Sequence, residues 1–277
     1  MRNRIITIVF VLMVIIGISV LLYPVVSDYL NYLTRTRVME AFIEELEQLD
    51  DTGYYELIQK AREYNRELML NSRRFMPSEE ELERYNEVIN FTGRGVIGSL
   101  EIEAINVDLP IYLTTHDSVL QVGIGHLEGS SLPVGGDGTH SVLTGHRGLQ
   151  SALLLTDADK LLVGDTFIVR TLREALHYRI ERIVIVEPND FSHLDIYPYR
   201  DLVTLLTCTP FGINSHRMLL TGYRIFPEEG EVFLDYRVSP GARRLSNVVG
   251  YVFAAIPVLL VFFVFTLIKK LIMKSRD

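Results

Sequence analysis

Cys208 is the one cysteine of the chain, so it has no intramolecular disulfide to make. It ends a β-branched and leucine-rich run that starts at Asp201, and Pro210 and Gly212 stop that run at once. The thiol therefore stands at a strand end, beside a turn. A small buried hydrophobe is the plain alternative for such a cysteine. A thiol becomes a nucleophile when a base or a cation favours its thiolate, and histidine and arginine are the usual partners. His146 lies in Thr144-Gly145-His146-Arg147-Gly148, just past a strand and between glycines that let backbone come close. His216 follows Cys208 closely, with Arg217 next to it; adjacent strand residues face opposite ways, so only one of that pair can face the thiol. Spacing alone leaves both His146 and His216 open as the base. Scattered histidines and a single cysteine lack the paired spacing of a zinc site. Asp117 and Glu128 offer a calcium ion little more than two carboxylates. Nothing calls for a metal or a cofactor.

The elements that must position these residues change character along the chain. Between Tyr32 and Asn90 apolar residues recur at helical steps: Val38, Phe42, Ile43, Leu46 and Leu49, then Leu57, Ile58, Ala61, Tyr64 and Leu68. Two amphipathic helices follow, with a third from Glu79 to Val88 opened by Ser78 and Glu81 as a capping box. Asn71 to Pro77 reads as the loop between them. From Gly95 the pattern shifts to short strands broken by Gly, Pro and Asp: Val96–Ile105 with Val107–Leu113, His140–Thr144, Thr166–Thr171, His177–Val186, Leu202–Cys208 and Met218–Ile225. Many short strands at this spacing predict a closed barrel, mainly β. Pro133 to Gly138 lacks the lysine and following helix of a phosphate-cradling loop and reads as a turn.

The ends are apolar. Ile5 to Val26 carries no charge and is long enough to cross a bilayer as a helix, and Val248 to Ile268 is a second such run. Arg2 and Arg4 precede the first; Lys269, Lys270, Lys274 and Arg276 follow the second, which places both termini in the cytoplasm and the middle outside. A cleaved signal peptide is the rival reading of the first run, though no small-x-small site follows Leu22. The net charge of -8 excludes a nucleic acid as partner, since phosphates need a basic face. The expected organisation is an anchor at 1–26, a helical region at 27–94, a catalytic barrel at 95–228, a linker at 229–247, a second span at 248–268 and a basic tail at 269–277.

At this point the motifs carry a resemblance. Thr204-Leu205-Leu206-Thr207-Cys208 resembles the Thr-Leu-X-Thr-Cys signature of the sortases, membrane-bound cysteine transpeptidases of Gram-positive bacteria. Thr144 to Gly148 resembles their histidine motif and Ile213 to Arg217 their arginine motif. The likeness spans Val96 to Ile225, and the two apolar ends with the helical region resemble class C, the pilus-assembly branch. It implies an eight-stranded sortase-type barrel with an N-terminal helical region and a transmembrane helix at each end. It implies Cys208 as nucleophile, His146 as proton donor and acceptor, and Arg217 as the cation that holds substrate or oxyanion. Thr204, Leu205, Thr207 and Thr209 are then expected beside the substrate.

The implied reaction cleaves a Leu-Pro-X-Thr-Gly-like sorting signal of a pilin or surface protein between Thr and Gly, through a Cys208 acyl-enzyme. A pilin lysine then accepts the acyl group, and a peptidoglycan amine is the alternative acceptor. A membrane-tethered scaffold without catalysis is the reading from another class. Class C relatives commonly carry a lid with an Asp-Pro-aromatic motif. Here Arg73-Arg74-Phe75 stands where that motif is expected. Phe75 is the lid candidate, and the missing acidic anchor predicts that the Asn71–Pro77 loop is mobile or placed differently.

Overall fold

The computed structural model describes residues 2–90, 93–149 and 154–226. The expected linker, second span and basic tail therefore lie outside the described residues. Residues 33–233 make one compact unit, and residues 1–32 belong to another.

Helix α1 (Arg2–Gln48) runs through Pro24. Among the described residues no single helix is long and apolar enough to cross a membrane; Ile8–Val20 and Leu22–Gln48, bent by 41° at the break between them, pass that test together. Ile6, Phe10, Met13, Ile16 and Val20 are exposed. Within the larger unit, Phe42 and Leu46 of α1 are buried, as are Ile58, Ala61 and Leu68 of α2 (Asp51–Leu70). These are the residues of the helical stripe, so the helices pack through the face their spacing marks. Asn65 sits in the α2 stripe and is buried too. Its amide group donates to Leu132 O at 3.0 Å and accepts from Leu132 N at 2.7 Å, so a costly buried polar group is matched on both sides. Helix α3 (Glu79–Ile89) opens with the expected capping box of Ser78 and Glu81. Its Tyr85 is buried, stacks on His126 and places its hydroxyl 2.6 Å from His126 Nδ1.

The barrel holds β1 (Val96–Ile102), β2 (Val107–Tyr112), β3 (Ile124–His126), β4 (Thr139–Thr144), β5 (Thr166–Thr171), β6 (Glu174–Val186), β7 (Asp201–Thr209) and β8 (His216–Ile225). It closes in the order β1-β2-β3-β4-β7-β8-β6-β5. The β2–β3 and β4–β7 pairs are parallel and the rest antiparallel. Leu100, Ile102, Leu109, Ile111, Phe167, Val169, Tyr178, Val203, Leu205 and Leu220 are among the fully buried side chains. The expected strands are present, with one correction: Glu103–Ile105 is a 3-10 turn rather than the end of β1. The added strand is β3, whose Ile-Gly-His is too short to give an alternation signal.

Two buried histidines predict acid lability. His140 Nδ1 lies 2.8 Å from Asp195 O, a carbonyl that can only accept, and Nε2 lies 2.8 Å from Thr204 Oγ1, so the neutral ring is matched on both nitrogens. Burial pushes His126 and His140 down to about 4. The unfolded chain binds a proton on each ring as pH falls below the ordinary value of 6.5, and the folded chain does not. Stability is therefore complete above pH 6.5 and falls towards pH 4, by roughly 3 kcal/mol per histidine. Asp108 and Asp201, raised by burial, offset part of this. Urea unfolding at pH 7 and pH 5 checks it: the midpoint is expected to fall, and an unchanged midpoint contradicts it.

Candidate active site

The parallel β4–β7 pairing brings the C-terminal ends of two strands to the same end of the barrel, which is why residues far apart in sequence meet there. Strand β4 runs out into His146 just as β7 runs out into Cys208. Thr144 is in register with Leu206, and past β4 Gly145 N donates to Leu206 O at 3.1 Å. On the other side β8 returns antiparallel, and Cys208 is in register with Arg217, Leu206 with Leu219 and Thr204 with Thr221. Alternation puts those six on one face. Cys208, His146 and Arg217 are each half-buried, so all three reach solvent.

His216 pairs with Thr209 and so faces away from the Cys208–Arg217 row. Its ring is held by Ser215 Oγ at 2.8 Å and lies 3.4 Å from Glu187 Oε1. Arg217 Nη1 donates to Asn214 O and His216 O, both at 3.2 Å. Among the described residues it has no carboxylate partner, so its other N–H groups are available to a ligand.

Thr204, Leu205, Thr207 and Thr209, expected beside the substrate, are all buried. Thr204 Oγ1 is engaged by His140 and by Thr221 Oγ1 at 2.9 Å, and Thr207 Oγ1 donates to Gly145 O at 2.8 Å. Leu205 is 0% exposed inside the barrel. Thr204 lies on the Cys208 face but is covered by His140, whereas Leu205, Thr207 and Thr209 alternate to the opposite face; the hydroxyls of Thr204 and Thr207 tie β7 to its neighbours. Among the described residues no group of three or more His, Cys, Asp and Glu side chains could hold a metal. Glu128 is engaged by the hydroxyls of Thr114 and Thr115 at 3.0 and 3.1 Å.

The Asn71–Pro77 loop is docked on the barrel. Phe75 stacks on Phe191 with ring centroids 4.8 Å apart and packs on a cluster of Val142, Val186, Leu194 and Leu219, with Leu206 beside it. Leu206 and Leu219 are the pair next to Cys208 and Arg217 on the same face. Phe75 thus packs on the face that carries Cys208 and Arg217, over Leu219, two residues along β8 from Arg217. The anchor is basic where an acid was looked for: Arg74 Nη2 donates to Leu194 O at 2.9 Å and lies 3.6 Å from Asp195 Oδ1. Gly129 makes room, since a Cβ there would lie 2.1 Å from Arg74 O and its φ is +85°. The sequence carried no signal for Phe191 or Leu194, which lie in a loop without periodicity, or for Gly129.

The comparisons agree with this architecture. The Sortase domain model matches residues 100–225. Sortase C1 from Streptococcus agalactiae is 42% identical over 69% of this chain and 100% of its own, with a TM-score of 0.66. Sortase C from Streptococcus pneumoniae is 41% identical over 69% of this chain and 97% of its own, with a TM-score of 0.61. Sortase C from Clostridium perfringens SM101 is 36% identical over 69% and 99%, with a TM-score of 0.59. No curated protein matches. With its relatives covered almost end to end and a barrel of matching topology, the chain belongs to the sortase family of cysteine transpeptidases, beside solved members of the sortase C class.

Proposed function

We propose that the chain joins pilins into a polymer at a membrane surface, with Cys208 as nucleophile, His146 as acid and base, and Arg217 as the cation facing the developing charge. The observation that carries this is the meeting, at one end of the barrel, of the Cys208–Arg217 register pair and the chain bearing His146. The Cys208 thiolate attacks the threonine carbonyl carbon of a Leu-Pro-X-Thr-Gly-like signal. The C–N bond to glycine breaks as His146 gives its proton to the departing amine, leaving a thioester. Arg217 and backbone amides at the strand end stabilise the tetrahedral oxyanion. A pilin lysine then attacks the thioester and returns a proton to His146, and the Cys208 thiolate leaves behind an isopeptide bond. The pilin reading draws on the sortase C class of the neighbours. The membrane reading draws on the uncharged run Ile5–Val26, which with a second span at Val248–Ile268 would hold the barrel outside a Gram-positive cell with both termini inside.

Peptide mapping of the product formed from a pilin domain and a sorting-signal peptide tests the acceptor. A cross-link at a pilin lysine supports polymerisation; a product made only with a peptidoglycan-precursor amine supports wall anchoring instead.

In this reading the resting groove is occupied by Phe75, which must leave before a peptide can bind. Truncating Phe75 to alanine removes a half-buried ring worth roughly 1.5 kcal/mol to the docked loop, about a tenfold shift towards the open groove. Signal cleavage at low peptide concentration is expected to rise about tenfold in Phe75→Ala. An unchanged or lower rate would show that the loop does not gate the groove.

A further inference from the structure

We propose that Arg147 is a positioning residue that locks the loop bearing His146 against the end of the nucleophile strand. The proposal rests on His146 and Cys208 acting as the base and nucleophile proposed above. Arg147 follows His146 directly, yet it is only 8% exposed where His146 and Gly148 on either side are half-buried. A guanidinium is costly to bury, and the site offsets that cost with partners on two separate segments, the turn holding Thr156 and Asp159 and the end of β7. Nη2 pairs with Asp159 Oδ2 at 2.5 Å, on the turn that follows the loop. Nε donates to Thr156 O at 3.1 Å, and Gly148 N donates to Thr156 Oγ1 at 3.3 Å. Nη1 reaches Thr209 Oγ1 at 3.4 Å, and the group lies 6.0 Å from the Phe211 ring centroid.

Thr209 and Phe211 follow Cys208 on β7 and in the turn beyond it. Thr207, the residue before Cys208, holds Gly145, the residue before His146. The nucleophile and the base are therefore bracketed in step: Thr207 to Gly145 on one side, Thr209 to Arg147 on the other. Two ties of this kind fix both translation and rotation of the short loop relative to β7, which one tie cannot do. Arg147 touches no reacting atom in this scheme. It acts by fixing where the imidazole hangs, and small displacements there are expensive in rate. Lysine cannot replace it, because a point charge can pair with Asp159 but cannot reach Thr156 and Thr209 as a planar fork does.

The test uses the full chain in detergent, a Leu-Pro-X-Thr-Gly peptide and the variants Arg147→Met, Arg147→Lys, Asp159→Asn and His146→Ala. Arg147→Met is expected to lower kcat about 50-fold with KM changed less than twofold. Arg147→Lys is expected to restore the unfolding temperature but leave kcat at least tenfold down, and Asp159→Asn to lower kcat in the same direction by less. Because Arg147 works through His146, adding Arg147→Met to His146→Ala should cost less than a further twofold. Wild-type kcat in folded Arg147→Lys, or a full additional loss in the double variant, overturns the proposal even if Arg147→Met alone fails to fold. If the wild-type chain forms no Cys208 adduct, the underlying reading falls too; an adduct with unaffected variants removes the positioning role alone.

Discussion

Cys208→Ala is expected to lower cleavage of a Leu-Pro-X-Thr-Gly peptide to the uncatalysed background, a loss of roughly 10⁶-fold. The reason is chemical: without the sulfur there is no thioester, and the remaining donors of the site have no intermediate to stabilise. The fold should survive, because Cys208 is half-buried at a strand end and its alanine keeps the β7–β8 register in which residue 208 faces Arg217. Chromatographic assay of the released glycine-bearing fragment, with the unfolding temperature as control, checks both parts. Cleavage within a hundredfold of wild type by a folded Cys208→Ala chain would remove the nucleophile assignment.

His146→Ala is expected to cost on the order of 10³-fold in kcat, since proton transfer to the departing amine and from the incoming one both pass through this ring. His216→Ala is expected to stay within threefold. The contrast is informative because spacing leaves the two histidines equivalent. In the fold His216 faces Glu187 and Ser215, away from the row that holds Cys208, whereas the backbone around His146 is tied to Leu206 and Thr207. Steady-state rates of the two variants, measured side by side, decide between them. Equal losses, or a larger loss at His216, would reverse the assignment.

Much of this arrangement is legible in the sequence because it rests on local rules. The capping box at Ser78, the helical stripes through Phe42 and Ile58, and the strand that ends at Cys208 all follow from residue type and period. What stays hidden is set by contacts between distant segments. The parallel pairing of β4 with β7 leaves no mark in either strand, so the meeting of the chain bearing His146 with the end of β7 could come only from a resemblance of motifs. The three residues of β3 are too few to alternate. Thr204, Leu205 and Thr207 are buried although they flank the half-buried Cys208: neighbours along a strand share its register but not its exposure, and Thr204, on the same face as Leu206 and Cys208, is covered by His140. The loop at Phe75 is the clearest case. The missing acidic anchor predicts a loop that is mobile or placed differently, and the loop is held by a basic one: Arg74 on Leu194 O and Asp195, with Phe75 on Phe191 and a glycine at position 129. Each of those partners lies far from the loop in sequence.

The measurement that bears most directly on the central claim is a pulse-chase followed by intact-mass spectrometry. The full chain in detergent is mixed with excess Leu-Pro-X-Thr-Gly peptide, quenched in acid, and then a parallel sample is chased with a pilin domain. The account predicts an acyl adduct of the peptide fragment ending in threonine, located at Cys208, that disappears during the chase as the same mass appears on a pilin lysine. A folded chain that cleaves the peptide without ever carrying such an adduct, or that carries it on a residue other than Cys208, would contradict it.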